Sequence, residues 1–274
     1  MAAESIYDRI RFYIELSGVL PDDFEAEERE YKDKELRFVP GAMEGILGRH
    51  GQGFGDGEGL SLAETIKGYL KMAPKDALAD FERRVAENGR LASARRGICR
   101  EILTKKEEYN AVGVLQLAKC FAVEGNKAET VKLGLTLLGL FDTGDMPDVC
   151  HFLQILGYCE EFTDYVLTAA KGWPEEKQQE LYYNLARKLH GWGKIAAVEC
   201  MDADTQEKKE WILCYGCKNS IMNAYLGYIC AVKCDLYKRL EVGGLTEEEF
   251  HGAVEIMEGL LDEGPCAGLS AMDN

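Results

Sequence analysis

The chain has 274 residues, 46% of them hydrophobic, enough to fill a sizeable core in one or two domains without disulfides or metals. Its 48 acidic residues outnumber 32 basic ones, and the formal charge of −16 opposes a phosphate backbone, so no nucleic-acid partner is expected. The ten cysteines fall short of a disulfide scaffold, and Glu4, Asp8, Arg9, Arg11 and Glu15 interrupt any export signal, so reduced thiols and a cytoplasmic location are expected.

Residues 1–59 are the least regular part. A helix is predicted over 5–16, with Ser5 and Asp8 spaced as a capping box, then an acidic segment, then a glycine run over 51–59 that reads as a linker. From Ser61 onward, start and stop signals recur at the short intervals of helices joined by tight turns. Ser61 and Glu64 form another capping box, Pro74 opens the next helix, Gly89 ends it, and Asn126 is placed to cap a helix running towards Phe141. Pro147 suits a first helical position, and Val149, Phe152, Leu153 and Leu156 follow it on one apolar face closed by Gly157. Phe162, Tyr165, Val166, Ala169 and Ala170 repeat that spacing. Pro174 opens a helix carrying Leu181, Leu185 and Leu189, and Gly191 and Gly193 break the pattern.

Later helices are predicted over 195–201, 206–215, 219–236 and 247–263, the last with Thr246 and Glu249 as its capping box. On that last helix Phe250, Val254, Met257 and Leu261 share one face, expected to pack on the preceding helix beneath an acidic outer surface. Predicted helix starts at 127, 160 and 194 lie 33 and 34 residues apart, a two-helix period of the kind found in α-solenoids.

The run Leu137-Leu138-Gly139-Leu140-Phe141-Asp142-Thr143-Gly144-Asp145-Met146-Pro147-Asp148-Val149 resembles a HEAT-type repeat, in which an apolar helix ends in an acidic turn and a second helix opens with proline, aspartate and valine. Cys150 stands where many such repeats carry arginine. The resemblance implies an all-α solenoid of antiparallel helix pairs over 60–264, preceded by the N-terminal segment 1–59 and followed by a tail over 265–274. The chain also resembles a group of uncharacterised clostridial-type proteins, in segments such as Leu20-Pro21-Asp22-Asp23-Phe24 and His190-Gly191-Trp192-Gly193-Lys194. Some of that group carry a limonene hydroxylase label, which the residues here do not support: no haem, flavin or non-haem iron motif accompanies it, and no cofactor is expected.

Three groups of residues are candidate sites. Cys214, Cys217, Cys230 and Cys234 have the C-x2-C and C-x3-C layout of a zinc site, but the last two fall in an apolar helical run where cysteine acts as a small hydrophobe, so core packing is the favoured reading. His190, Trp192, Lys194 and Glu199 gather a base, an aromatic ring, a cation and a carboxylate around two glycines, a junction able to line a pocket. Residues 83–106 carry eight basic side chains, Arg95, Arg96 and Arg100 among them, against two acidic ones, a local +6 that leaves −22 for the rest. Such a patch suits an acidic ligand, though helix faces pairing with the acidic remainder are the commoner case.

The leading expectation is a non-enzymatic interaction scaffold that binds a protein or peptide, a basic one if the partner is charged, and no membrane. Two alternatives stand beside it: a small-molecule enzyme with its site at His190–Glu199, and an acidic inhibitor or immunity-like protein masking a basic partner.

Overall fold

The computed structural model describes residues 4–27, 38–49, 59–88, 94–264 and 266–272. Among these, all regular structure is helical and no strand occurs. No helix among them is long and apolar enough to cross a membrane. The chain forms two compact units, residues 1–178 and 179–274.

The first unit begins with α1 (Ile6–Ser17). Ser5 caps it, accepting the Asp8 N–H at 3.1 Å, and Gly18 ends it in the left-handed region that glycine tolerates. A π-helix spans Glu44–Arg49. Then come α2 (Gly59–Tyr69), α3 (Pro74–Asn88), α4 (Arg95–Thr104), α5 (Ala111–Glu124), α6 (Ala128–Leu138), α7 (Pro147–Gly157) and α8 (Thr163–Ala169). The boundary between the units falls inside α9 (Glu175–Ala186). Helix α2 starts at Gly59, so Ser61 lies within it instead of capping it, its carbonyl accepting from the Thr65 hydroxyl. Most of the glycine run over 51–59, and Gly89, lie outside the described residues.

Helix α6 is the centre of this unit. Every residue from Ala128 to Leu138 is buried, with α3, α4, α5 and α8 packed around it. Asn126 does not cap it. The α6 N-terminus is served from far away in sequence: Glu27 accepts the Ala128 N–H at 2.9 Å and pairs with Lys127 at 3.0 Å. Helix α7 buries Val149, Phe152, Leu153 and Leu156 as its spacing predicts, and packs on α8 and α1. In the acidic turn before it, Asp142 accepts the Gly144 N–H at 3.2 Å. The Cys150 thiol donates to the carbonyls of Thr143 and Gly144, at 3.7 and 3.4 Å, and so holds this turn.

The second unit holds α10 (Trp192–Cys200), α11 (Gln206–Trp211) continuing as a π-helix over Ile212–Gly216, α12 (Gly227–Lys233), α13 (Leu236–Val242) and α14 (Glu247–Leu261). Gly193 lies inside α10 and interrupts nothing. The single helix predicted over 219–236 does not form. Asn219 turns the chain by accepting the N–H groups of Ile221 and Met222 at 2.9 and 2.8 Å, and Asp235 adopts a left-handed φ of 53° that separates α12 from α13. The observed starts at Ala128, Thr163 and Trp192 fall 35 and 29 residues apart, less even than the predicted period.

The capping box on α14 is present as expected, with Glu249 and Thr246 bonded reciprocally. Its buried face is not the one predicted. Gly252, Ala253, Ile256, Gly259 and Leu260 face inward, whereas Phe250, Val254, Met257 and Leu261 are exposed. Small residues win the interior because α14 lies against backbone: a Cβ on Gly252 would collide with Leu213 and Cys214, and one on Gly259 would lie 2.7 Å from the Asn223 carbonyl oxygen.

Candidate functional site

Helices α1, α3, α5 and α7 border a groove of about 760 Å³ in the first unit. Tyr7 and Phe152 supply buried aromatic surface, their ring centroids 6.4 Å apart in an edge-on arrangement, and Val123 and Cys120 extend it. The rim is charged in both signs. Lys75 meets Glu124 at 2.8 Å, Lys119 pairs with Asp148, and Gln116 and His151 are exposed between them. The hydrogen bond from Lys119 holds the Asp148 carboxyl below its ordinary range, and burial pushes the Cys120 thiol up to about 11, so that thiol stays protonated. An apolar floor with a rim of paired charges suits an extended or helical peptide.

A buried ionic centre lies in the same unit. Lys132 of α6 lies 2.5 Å from Glu161, 3.0 Å from Glu44 and 3.5 Å from Glu129. Tyr165 of α8 donates its hydroxyl to Glu44 at 3.1 Å. Next to it in sequence, Asp164 accepts from Arg95 of α4 at 2.6 Å and from Arg49 at 2.7 Å, while Arg95 also reaches the Thr168 hydroxyl and lies 4.6 Å over the Tyr165 ring. Burial works against each charge, yet Glu161 and Glu44 hold the Lys132 pKa well above its ordinary value, and Arg95 and Arg49 hold that of Asp164 below its own. The centre binds the Glu44–Arg49 π-helix to α4, α6 and α8. Each of its cations is paired with a carboxylate, so it acts as a clamp.

A scan against protein-family models, a search of curated proteins and a search of solved structures each found no match to this chain.

The sequence candidates fall into different settings. Arg95 is drawn into the buried clamp, while Arg96 and Arg100 are exposed on the same helix. Elsewhere in the basic stretch Arg83 and Arg84 pair with Asp80, and Lys105 with Glu101, the internal pairing that charge-rich helix faces commonly show. In the second unit Trp192 is buried edge-on to Tyr225, with centroids 4.8 Å apart. Lys194 is buried too, donating to the carbonyls of Tyr215 and Lys218 at 2.9 and 2.6 Å, so it caps the end of the Ile212–Gly216 turn. His190 is exposed and Glu199 half-buried.

Cys217, Cys230 and Cys234 are buried and Cys214 half-buried. The Cys217 thiol donates to the carbonyls of Asn223 and Glu255 at 3.6 and 3.5 Å. Burial, then the neighbouring Cys217, raises the Cys230 pKa well above its ordinary value, and burial pushes that of Cys234 up to about 12. Among the described residues no three His, Cys, Asp or Glu side chains are grouped to hold a metal ion. A smaller cleft of about 240 Å³ lies among Lys209, Asp235, Lys238, Arg239 and Glu249, where Lys209 pairs with Asp235 and Arg239 with Glu249. The groove in the first unit had no signature in the sequence, because its lining comes from four helices and the local patterns that include Pro74, Asp148 and Phe152 report helix starts and packing faces, not a shared surface.

Proposed function

We propose that this protein is a non-enzymatic interaction scaffold, built of HEAT-like stacked helix pairs, whose groove between α1, α3, α5 and α7 receives a peptide segment of a partner protein. The observation that carries this reading is the groove itself: about 760 Å³, an aromatic and aliphatic floor, and rim charges of both signs. The alternative of a small-molecule enzyme at His190–Glu199 has less support, because Trp192 is committed to packing and Lys194 to capping carbonyls.

Capture of partners from a native lysate, followed by mass spectrometry, tests the proposal when run with three baits: the wild type, Gln116→Trp and Lys119→Glu. Both positions sit on the rim and neither is part of the buried core. A partner held by the groove is recovered by the wild type and lost from both variants. Equal recovery by all three baits would place binding elsewhere and defeat the proposal.

A further inference from the structure

The C-terminal helix carries a second surface, independent of the groove. On α14 the side chains of Phe250, Val254, Met257 and Leu261 are all exposed, Phe250 at 56% and Leu261 at 71%. Spaced i, i+4, i+7 and i+11, they form one stripe over three helical turns, about 17 Å long. The helix is fixed in this orientation. Gly252 and Gly259 admit neighbouring backbone that no other residue would admit, Tyr215 and Asn223 bond Glu248 and Glu255, and Arg239 grips both oxygens of Glu249 at 2.9 Å. Rolling α14 to bury the stripe would break all of these contacts, so the stripe stays open in the folded unit. Exposed apolar surface of this continuity marks an interaction site.

Charge selects the occupant. No lysine or arginine occurs in α14, and the exposed carboxylates Glu247 and Glu258 stand beside the stripe at helical spacing, with Asp262 exposed just past the helix end. A second copy would bring acid against acid, and so would an anionic lipid surface. We propose that the stripe docks a cationic amphipathic helix of a partner protein, its apolar face covering Phe250 to Leu261 and its lysines or arginines meeting Glu247, Glu258 and Asp262.

The test titrates a short fluorescent Leu/Lys amphipathic peptide, and its Leu/Glu counterpart, into the full chain and reads fluorescence anisotropy. Binding of the Leu/Lys peptide alone is expected. It should weaken about tenfold or more in Met257→Ser/Leu261→Ser and likewise in Glu258→Lys/Asp262→Lys, with circular dichroism unchanged because these side chains are exposed. Four results would overturn the proposal: no binding of the Leu/Lys peptide, undiminished binding by both variants, a wild-type dimer in sedimentation that Met257→Ser/Leu261→Ser abolishes, or adsorption to phosphatidylcholine vesicles that this variant abolishes.

Discussion

Lys132 is the residue on which the first unit depends most visibly. It is only 4% exposed and is surrounded by Glu44, Glu129 and Glu161, so its removal leaves buried carboxylates without a counter-charge. Lys132→Met is expected to cost about 3–5 kcal/mol, read as a lower urea midpoint at pH 7. Asp164 makes the clamp sensitive to acid. Its pKa is lowered by Arg95 and Arg49 against the opposing effect of burial, so its contribution is complete above the ordinary aspartate value of about 3.9 and is lost as pH falls through the depressed folded value. The gap in urea midpoint between the wild type and Asp164→Asn should therefore be full at pH 7 and close in strong acid. A gap that stayed constant with pH would show that the carboxylate charge is not what stabilises the clamp. Neither residue drew notice as a site from sequence, since Glu44 and Tyr165, whose side chains meet in this centre, are separated by 121 positions and long-range charge pairing leaves no spacing to detect.

Among the helices, legibility followed the range of the signal. Thr246 with Glu249 and Pro147 at the head of α7 act within one turn and the structure keeps both, while of the box expected from Ser5 and Asp8 it keeps the cap by Ser5. The cap of α6 escaped because Glu27 lies 101 positions from Ala128. The inner face of α14 escaped for another reason: hydropathy ranks Phe250 and Leu261 above Gly252 and Gly259, whereas contact with the backbone of Leu213 and Asn223 admits only the glycines. Helix α14 covers the Ile212–Gly216 turn, Asn223–Tyr225 and α12. Deleting residues 246–274 should thus expose Gly227, Cys217 and their apolar neighbours and cause aggregation in size-exclusion chromatography, whereas deleting only 266–274 should leave a monomer. A longer deletion that stayed monomeric and equally stable would mean that α14 does not close the second unit.

For the whole molecule, the all-α class was readable from scarce strand signals and recurrent caps, but the grouping of residues into a surface was not, because Tyr7, Gln116 and Phe152 are brought together by packing among three helices. The buried clamp and the groove belong to one unit. A photo-crosslinking amino acid placed at position 116, on the groove rim, tests the scaffold claim most directly. Irradiation in native lysate should yield one recurrent polypeptide adduct from position 116 that Lys119→Glu removes, and no such adduct from a probe at the exposed position 96. An adduct that survives Lys119→Glu, or forms equally from position 96, would contradict the account.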